Sequence, residues 1–585
     1  MPTMKPKAAE RTVPPVIRRR ASGAVDELPA TLHPVLRRVY TARGVGHADD
    51  LNLDLRQLLP VSTLDGIGPA TELLVDHMLR GSHILVVGDF DADGATSTAL
   101  VVRQLRRLGH ASVDFRVPDR MRHGYGLTPL LVAELGAKPA DLLITVDNGV
   151  AAFAGIEAAQ ALGMQVLVTD HHLPGPTLPG CAAMVNPNLP GAKFASKALA
   201  GVGVAFYLMA AVTRELETRR GVKLPPVADF LDLVALGTVA DLVPLDRNNR
   251  ILVQEGLKRL RARLAAPGLM ALARVAGSRL EDLSARNLGH QIAPRLNAAG
   301  RIDDMAVGIR CLLTDDWAEA LEQAQELDRL NRERREMELR MRDEATVAVR
   351  RLRLQEGDLP AGVTLYDRGW HAGIVGLVAT RMKDRVHRPV VAFAPAGDGE
   401  LRGSARSVAG VHVRDLLEAI DTRYPGLIER FGGHAMAAGL TLREEQLQKF
   451  SEAFGEEVGR HLTRDQMLGV LETDGELAPG ELSLETALAL EAGGPWGQAF
   501  PEPLFDGQFD VVDSRVVAER HLKLWLRQQP AAQPVEAIAF GHFDADGATR
   551  PPAGARIRLA YRLQSSSYGG TAHAEMLAEY LQTGA

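Results

Sequence analysis

Cysteine is nearly absent: Cys181 and Cys311 are the only two in 585 residues. They lie too far apart in sequence to suggest a chelating pair, and they build no disulfide framework. The chain is therefore expected in a reducing, cytoplasmic setting. Long apolar runs are missing as well, since none approaches the roughly 18 residues that span a membrane. There is no basic excess either. The formal net charge is -6, so a polyanion must be met by a local patch or by bound cations, not by a global field. No Gly-x-Gly-x-x-Gly follows the first strand-like run. The acidic residues found there would repel a pyrophosphate, which argues against a nicotinamide-dependent dehydrogenase. The opening stretch (Lys5, Lys7, Arg11, Arg18, Arg19 and Arg20, with Pro14 and Pro15) lacks the apolar segment of a secretory signal. It reads as a flexible basic arm over residues 1–48.

What the chain does have is a pattern of apolar runs that end in polar clusters. Ile84-Leu85-Val86-Val87 reads as a buried parallel strand, and it runs straight into Gly88-Asp89-Phe90-Asp91-Ala92-Asp93-Gly94. Three carboxylates at alternate positions raise one another's pKa. A divalent cation relieves that repulsion, and hard oxygen ligands suit Mg²⁺ or Mn²⁺. The pattern continues with a helix over 94–108 and strands over 113–117, 142–146 and 165–168. Alternation of this kind predicts a doubly wound parallel sheet. Two more of these strands end alike, in Asp147-Asn148-Gly149 and in Asp170-His171-His172. Ligands bind outside the carboxyl ends of such strands, so three polar ends on one sheet predict a metal site at that edge. Asp241, after a helix-like run over 230–239, is a fourth candidate. Asp232 reads as a helix-surface residue.

The remainder is coarser. Residues 283–304 are rich in Gly, Pro, Asn and Arg and read as a loop with anion-binding potential. Residues 317–352 form one long charged helix, too polar for a core and suited to a spacer. A second α/β unit starts at Val363 and includes a strand over 389–393. Past about residue 465, short strands over 505–512, 521–526, 535–540 and 557–563 suggest an OB-type barrel. Gly541 to Thr549 nearly repeats Gly88 to Thr96. It leads into Arg550-Pro551-Pro552 and no second set of polar strand ends surrounds it, so it reads as a solvated hairpin tip. The expected fold is multidomain α/β: a doubly wound parallel-sheet domain over 49–314, a connecting helix over 315–354, a second α/β domain over 355–462 and an OB-like β-barrel over 463–585.

Asp91-Ala92-Asp93, Asp147-Asn148-Gly149, Asp170-His171-His172 and Ala240-Asp241 resemble the four motifs of the DHH phosphoesterase superfamily. Gly432-Gly433-His434 resembles the glycine-rich element of its associated second domain. Gly88 to Gly94, His123-Gly124-Tyr125-Gly126-Leu127 and Arg295-Leu296-Asn297-Ala298-Ala299-Gly300-Arg301 narrow the likeness to the RecJ family of single-strand-specific 5′→3′ DNA exonucleases. Many superfamily members carry a His four residues before the first Asp of the opening motif. Here that position is Val87, and Asp89 is offered instead, as a ligand or as a support. The resemblance implies two Mn²⁺ or Mg²⁺ ions that act on a scissile phosphate and release 5′-mononucleotides, in DNA repair and recombination. It implies Asp91, Asp93, Asp147, His171 and Asp241 as ligands, Asp147 as a candidate bridge, and His172 facing the phosphate. Bidentate phosphate contacts of the arginine type make Arg295 and Arg301, with Asn297, candidates for holding backbone phosphates, and the resemblance implies a terminal 5′-phosphate read by Arg120, Ser404 and Arg406. Tyr125, flanked by glycines, is a candidate platform for a stacked base, and Gly432, Gly433 and His434 are candidates for close backbone approach to the substrate. Expected partners are single-stranded DNA, a single-stranded DNA-binding protein and a RecQ-type helicase, with the enzyme a monomer. The alternatives are a phosphodiesterase for short oligonucleotides or cyclic dinucleotides, and an inactive single-strand-binding scaffold.

Overall fold

Strand Ile84–Val87 is buried along its whole length because apolar side chains occupy both of its faces. The computed structural model describes residues 15–583, apart from 22, 24–27, 121, 137–139, 357–358, 409, 434, 463–468, 531, 545–548 and 568–569. They divide into two units. One comprises His47–Arg332 with Gly493–Glu502; the other comprises the described residues up to Gly46 together with 333–492 and 503–583.

In the first unit, five parallel strands run in the order Val113–Arg116, Ile84–Val87, Leu142–Val146, Gln165–Thr169, Ala183–Val185. The chain leaves Ile84–Val87 toward one edge, returns, and continues from Leu142–Val146 toward the other. The switch point thus lies between these two strands, where open α/β sheets bind their ligands. Leu85, Val87, Leu143, Val166 and Val168 pack with Leu127, Leu131 and Ile156 in a core. Helices Ala92–Arg107, Gly201–Arg220 and Leu231–Ala240 pack against one another.

Two regions differ from expectation here. Residues 285–302 are helical, as Ala285–Asn287, a π turn at Leu288–Ile292 and Ala293–Ile302. Pro294 falls in the first turn of the last helix, where no N–H is needed. Leu288, Ile292 and Leu296 are buried, which decides against a loop. Asp232 is fully buried and not on a surface; its Oδ2 accepts from the Ala266 amide at 2.8 Å. Residues 493–502 also join this unit: the Leu245 amide donates to the Gln498 carbonyl at 2.7 Å, and Arg250 lies over the Phe500 ring at 4.0 Å.

The second unit holds a mixed sheet in the order Arg430–Gly433, Ala437–Arg443, Glu400–Arg406, Val390–Gly397, Val363–Tyr366. Phe393, Phe450 and Phe454 are buried in and beside it. It also holds a closed barrel of Phe505–Val517, His521–Arg527, Val535–Ala539, His573–Thr583 and Arg556–Ser566. Residues 16–19, expected within an arm, form strand Val16–Arg19 parallel to Val470–Thr473. Arg19 pairs with Asp506 through two hydrogen bonds, at 3.0 and 3.1 Å. Arg43 and Asp474 make a buried two-bonded ion pair at 2.7 and 3.0 Å. Lys5, Lys7 and Arg11 lie outside the described residues.

Helix Trp317–Glu356 runs through both units. Its first turns are not a polar spacer, because Ala320, Ala324, Leu327 and Leu330 are buried. No helix among the described residues is long and apolar enough to cross a membrane. In the near-repeat of the opening motif, His542–Asp544 makes a single 3₁₀ turn and His542 Nε2 lies 3.0 Å from the Thr549 carbonyl. Ala545 to Ala548 lie outside the described residues.

Candidate metal centre

Asp91 begins helix Ala92–Arg107 as its N-cap, with Oδ1 accepting from the amides of Asp93 and Gly94 at 3.0 Å each. Gly94 must be glycine, since a Cβ there would lie 2.5–2.7 Å from the Asp89 backbone. Asp93 turns inward. The first two amides of helix Gly201–Arg220 hold both of its oxygens, Gly201 N to Oδ2 at 2.6 Å and Val202 N to Oδ1 at 2.9 Å. That helix start offers its positive end to the carboxylate.

Asp147 leaves the end of Leu142–Val146 at a left-handed φ of +62°, a conformation aspartate tolerates better than most residues. Its neighbour Asn148 ties the two central strand ends together, with Nδ2 donating to the carbonyls of Val87 at 3.1 Å and Val146 at 2.9 Å. At the end of Gln165–Thr169, Asp170 folds back as an organiser. Its Oδ1 accepts from the amides of His171 and His172 and lies 2.8 Å from His172 Nδ1; its Oδ2 accepts from Val150 N at 2.8 Å. Asn188 donates to the His171 carbonyl at 2.6 Å and Asn186 to that of His172 at 2.9 Å. Asp241 is the C-cap of helix Leu231–Ala240.

These segments bring seven candidate side chains to one edge. His171 Nε2 lies 3.0 Å from Asp147 Oδ1, 3.5 Å from Asp241 Oδ2 and 4.0 Å from Asp93 Oδ2. Three donor sets have atoms within 4.8 Å of one another: Asp89, Asp91 and Asp147; Asp93, His171 and Asp241; and Asp147, His171 and His172. Asp89 Oδ1, Asp147 Oδ1 and His171 Nε2 are buried and make no hydrogen bond, the last two lying 3.0 Å apart without hydrogen-bonding geometry. Buried polar atoms are normally satisfied, so three orphans in one cluster mark a place that a cation completes. Carboxylate oxygen with one imidazole suits Mn²⁺ or Mg²⁺. Two of the three sets share Asp147.

The electrostatics agree. Burial, then the charge of Asp91, lifts the Asp93 carboxyl from 3.8 to about 7. Burial followed by neighbouring carboxylates pushes Asp89, Asp147 and Asp241 well above the ordinary value. Burial, then the nearby His172, lowers His171 to about 4, which keeps its imidazole neutral and able to ligate. His172 is the reverse. Burial works against its charge, but the hydrogen bond and the charge of Asp170 raise it to about 9, so it is cationic at neutral pH. Asp170 itself is pushed up by burial, yet its bond to His172 holds it below its ordinary value.

A pH dependence follows for the metal-free protein. A carboxyl raised on folding binds more protons folded than unfolded between its two values, so stability falls as pH rises through that window. For Asp93 the window runs from 3.8 to about 7. His171, lowered on folding from 6.5 to about 4, works the other way between those values, so the metal-free melting temperature should fall only where the raised carboxyls outweigh it, and Mn²⁺ should raise the melting temperature most at the alkaline end. Calorimetric scans in chelator and in Mn²⁺ test this; a gain in melting temperature from Mn²⁺ that does not grow with pH contradicts it.

The expected substrate residues are placed as follows. Tyr125 has an exposed ring; its hydroxyl donates to the Asp147 carbonyl at 3.2 Å and lies 3.2 Å from His172 Nε2. Arg120 lies over the Phe90 ring at 3.9 Å and donates to the Gly300 carbonyl. Asn297 Oδ1 accepts from Ala92 N at 2.8 Å, so it fastens the start of the Asp91-capped helix. Arg295 is buried, bonded to Asp328 at 2.8 and 2.9 Å and to the Gln291 carbonyl. Arg301 is half-buried in helix Ala293–Ile302. In the second unit, Arg406 donates to Ser404 Oγ at 2.8 Å, and a side chain at Gly376 would come within 3.0–3.1 Å of both. Gly432 has open space where a Cβ would be, whereas a Cβ at Gly433 would meet the Ala437 carbonyl at 2.4 Å. His434 lies outside the described residues. Sequence reasoning missed the amides of Gly201 and Val202, and Asn186 and Asn188. The last two had a legible signal, since Ala183–Val185 is another strand with a polar end, Asn186-Pro187-Asn188.

Comparison with known proteins agrees over most of the chain. Residues 83–238 match the DHH family N-terminal domain, 358–460 the DHHA1 domain and 473–580 the RecJ OB domain. The single-stranded-DNA-specific exonuclease RecJ of Escherichia coli is 49% identical over 560 residues, 95% of this chain and 96% of that protein. Its counterpart in Dickeya dadantii is 49% identical over 96% of this chain and 98% of its own length. The crystal structure of Thermus thermophilus RecJ in complex with Mn²⁺ superposes with a TM-score of 0.80 at 32% identity, covering 97% of this chain and 79% of that one. The Mg²⁺ complex of the same protein gives a TM-score of 0.75 at 30% identity, covering 97% and 78%.

Proposed function

The chain belongs to the RecJ family of DHH exonucleases, and from that premise we propose that it removes nucleotides from single-stranded DNA in the 5′→3′ direction by metal-dependent hydrolysis. The observation that carries the hydrolytic reading is the cluster of orphaned donor atoms, Asp89 Oδ1, Asp147 Oδ1 and His171 Nε2, beside the carboxylates of Asp91, Asp93 and Asp241. We assign Asp89, Asp91 and Asp147 to one ion, Asp93, His171 and Asp241 to the other, and Asp147 to both. Mn²⁺ or Mg²⁺ held there supplies Lewis-acid polarisation of a phosphodiester and a nucleophile at neutral pH.

The protein's own groups do the rest. Asp170 holds His172 in its cationic form at the rim, where a phosphate oxygen needs a positive partner. Asp93 is fixed by two helix amides and so keeps its geometry as charge moves. The exposed Tyr125 ring offers a stacking face to a base whatever its identity. We assign a terminal phosphate to Arg120, and phosphate contacts in the second unit to Ser404 and Arg406. From the family likeness alone we infer a RecQ-type helicase and a single-stranded DNA-binding protein as partners. The free thiols of Cys181 and Cys311 support a cytoplasmic setting.

A polarity assay tests this reading. Single strands labelled at either end, and the matching duplex, are incubated with Mn²⁺. The 5′ label should be released first as a mononucleotide and the duplex should persist. Release from the 3′ end first, equal cutting of duplex, or action on dinucleotides alone overturns it.

A further inference from the structure

Leu242 is disfavoured twice where it stands. It is 71% exposed, the highest value among the large apolar side chains of the described residues. Its φ is +60°, in the left-handed region. That region suits glycine and penalises a branched apolar side chain. Leu242 follows the C-cap of helix Leu231–Ala240, the position where helices most often use glycine. A glycine there would remove the backbone strain and the exposed apolar surface together. Single exposed leucines are common on protein surfaces. This one differs because it is strained, and because the residue before it is Asp241.

A second exposed leucine adjoins the same cluster in sequence. Leu173, 66% exposed, follows His172 directly. Asp241 Oδ2 and His171 Nε2 are 3.5 Å apart, so two separate segments each place an exposed leucine within two residues of that contact. The ring of Tyr125, 51% exposed, reaches His172 from a third segment. Two exposed leucines thus adjoin, in the chain, residues of a site built from carboxylates and imidazoles, and an exposed tyrosine ring touches it.

We propose that Leu242, together with Leu173, contacts the sugar and base faces of the unpaired nucleotides flanking the scissile phosphate. The ligand is chemically a single strand of DNA. Its bases present apolar faces of every sequence alike, whereas a duplex hides those faces in its stack. Contact of this kind favours single strands without reading sequence. The inference rests on the exonuclease reading above and names residues for its substrate preference.

The test uses the full-length enzyme with Mn²⁺ and 5′-phosphorylated single-stranded oligonucleotides. Leu242→Gly and Leu242→Asn both accept the left-handed backbone, so folding survives, and the glycine variant should melt no lower than the wild type. Both variants should raise KM roughly tenfold, the scale of one lost apolar contact, with kcat moving less than about threefold. Leu242→Met should stay close to the wild type. An unchanged KM in both the glycine and the asparagine variants overturns the proposal. So does a joint fall of kcat and Mn²⁺ affinity, which would mean that Leu242 only supports Asp241. If the wild type itself releases no nucleotide from single strands, the exonuclease reading fails instead.

Discussion

Asp147→Ala lowers nucleotide release from single strands by at least about 10³-fold, with single-strand binding kept within roughly threefold. The size of the effect comes from position. Asp147 belongs to the set with Asp89 and Asp91, and its Oδ1 lies 3.0 Å from His171 Nε2 of the other set, so its loss removes a charge beside both. Its Oδ1 is also one of the three orphaned buried atoms. Alanine at a φ of +62° adds backbone strain. Asp147→Asn separates the two causes, because asparagine tolerates that conformation and keeps the shape while removing the charge. Both variants should be equally inactive under single-turnover conditions, and anisotropy with a labelled strand should report near-normal binding. An asparagine variant with more than a tenth of wild-type activity would show that the charge is dispensable.

Gly201→Ala should cost about 10²-fold in activity without unfolding the chain. A Cβ at this position would stand 2.5 Å from Asp147 Cβ and 2.6 Å from its Oδ1, while the Gly201 amide is bonded to Asp93 at 2.6 Å. One methyl group therefore presses on one candidate ligand and tugs on another. The displacement it forces is about an ångström, a scale at which reacting groups lose alignment. Mn²⁺ affinity by calorimetry should weaken in step with activity. Gly203→Ala, two residues on in the same helix, is the control. Its Cβ would meet only the flexible end of Leu199 at 3.0 Å, and its activity should stay near wild type. Equal losses in both variants would trace the effect to the helix as a whole.

The sheet was readable because a parallel strand buried on both faces is apolar throughout, and because Ile84–Val87, Leu142–Val146 and Gln165–Thr169 each end in polar residues. Strand ends of one sheet share an edge, so the meeting of Asp91, Asp147 and His171 followed from periodicity alone. Other parts were hidden for physical reasons. His573–Thr583 is rich in helix-forming Ala, Glu, Met and Leu, yet it closes the barrel; pairing with two neighbouring strands overrides local preference. Residues 283–304 read as a loop because Gly, Pro, Asn and Arg dominate them. In the fold, Pro294 starts a helix and Gly300 admits the Phe90 carbonyl, 1.7 Å from where a Cβ would stand. Arg18 and Arg19 looked like a tail because the acids that receive them, Glu472 and Asp506, lie more than 450 positions downstream. The backbone amides that clamp Asp93 carry no side-chain signature and leave no mark in a sequence.

The spacing of the ligand-bearing segments has a consequence for the life of the chain. Asp89 and Asp241 are separated by about 150 residues, and every segment between them must be in place before the donor atoms meet. A chain still on the ribosome has no complete centre until Asp241 has emerged and its helix has docked. Until then the carboxylates have no common focus. No partial chain that ends before Asp241 therefore carries the full set of donor atoms.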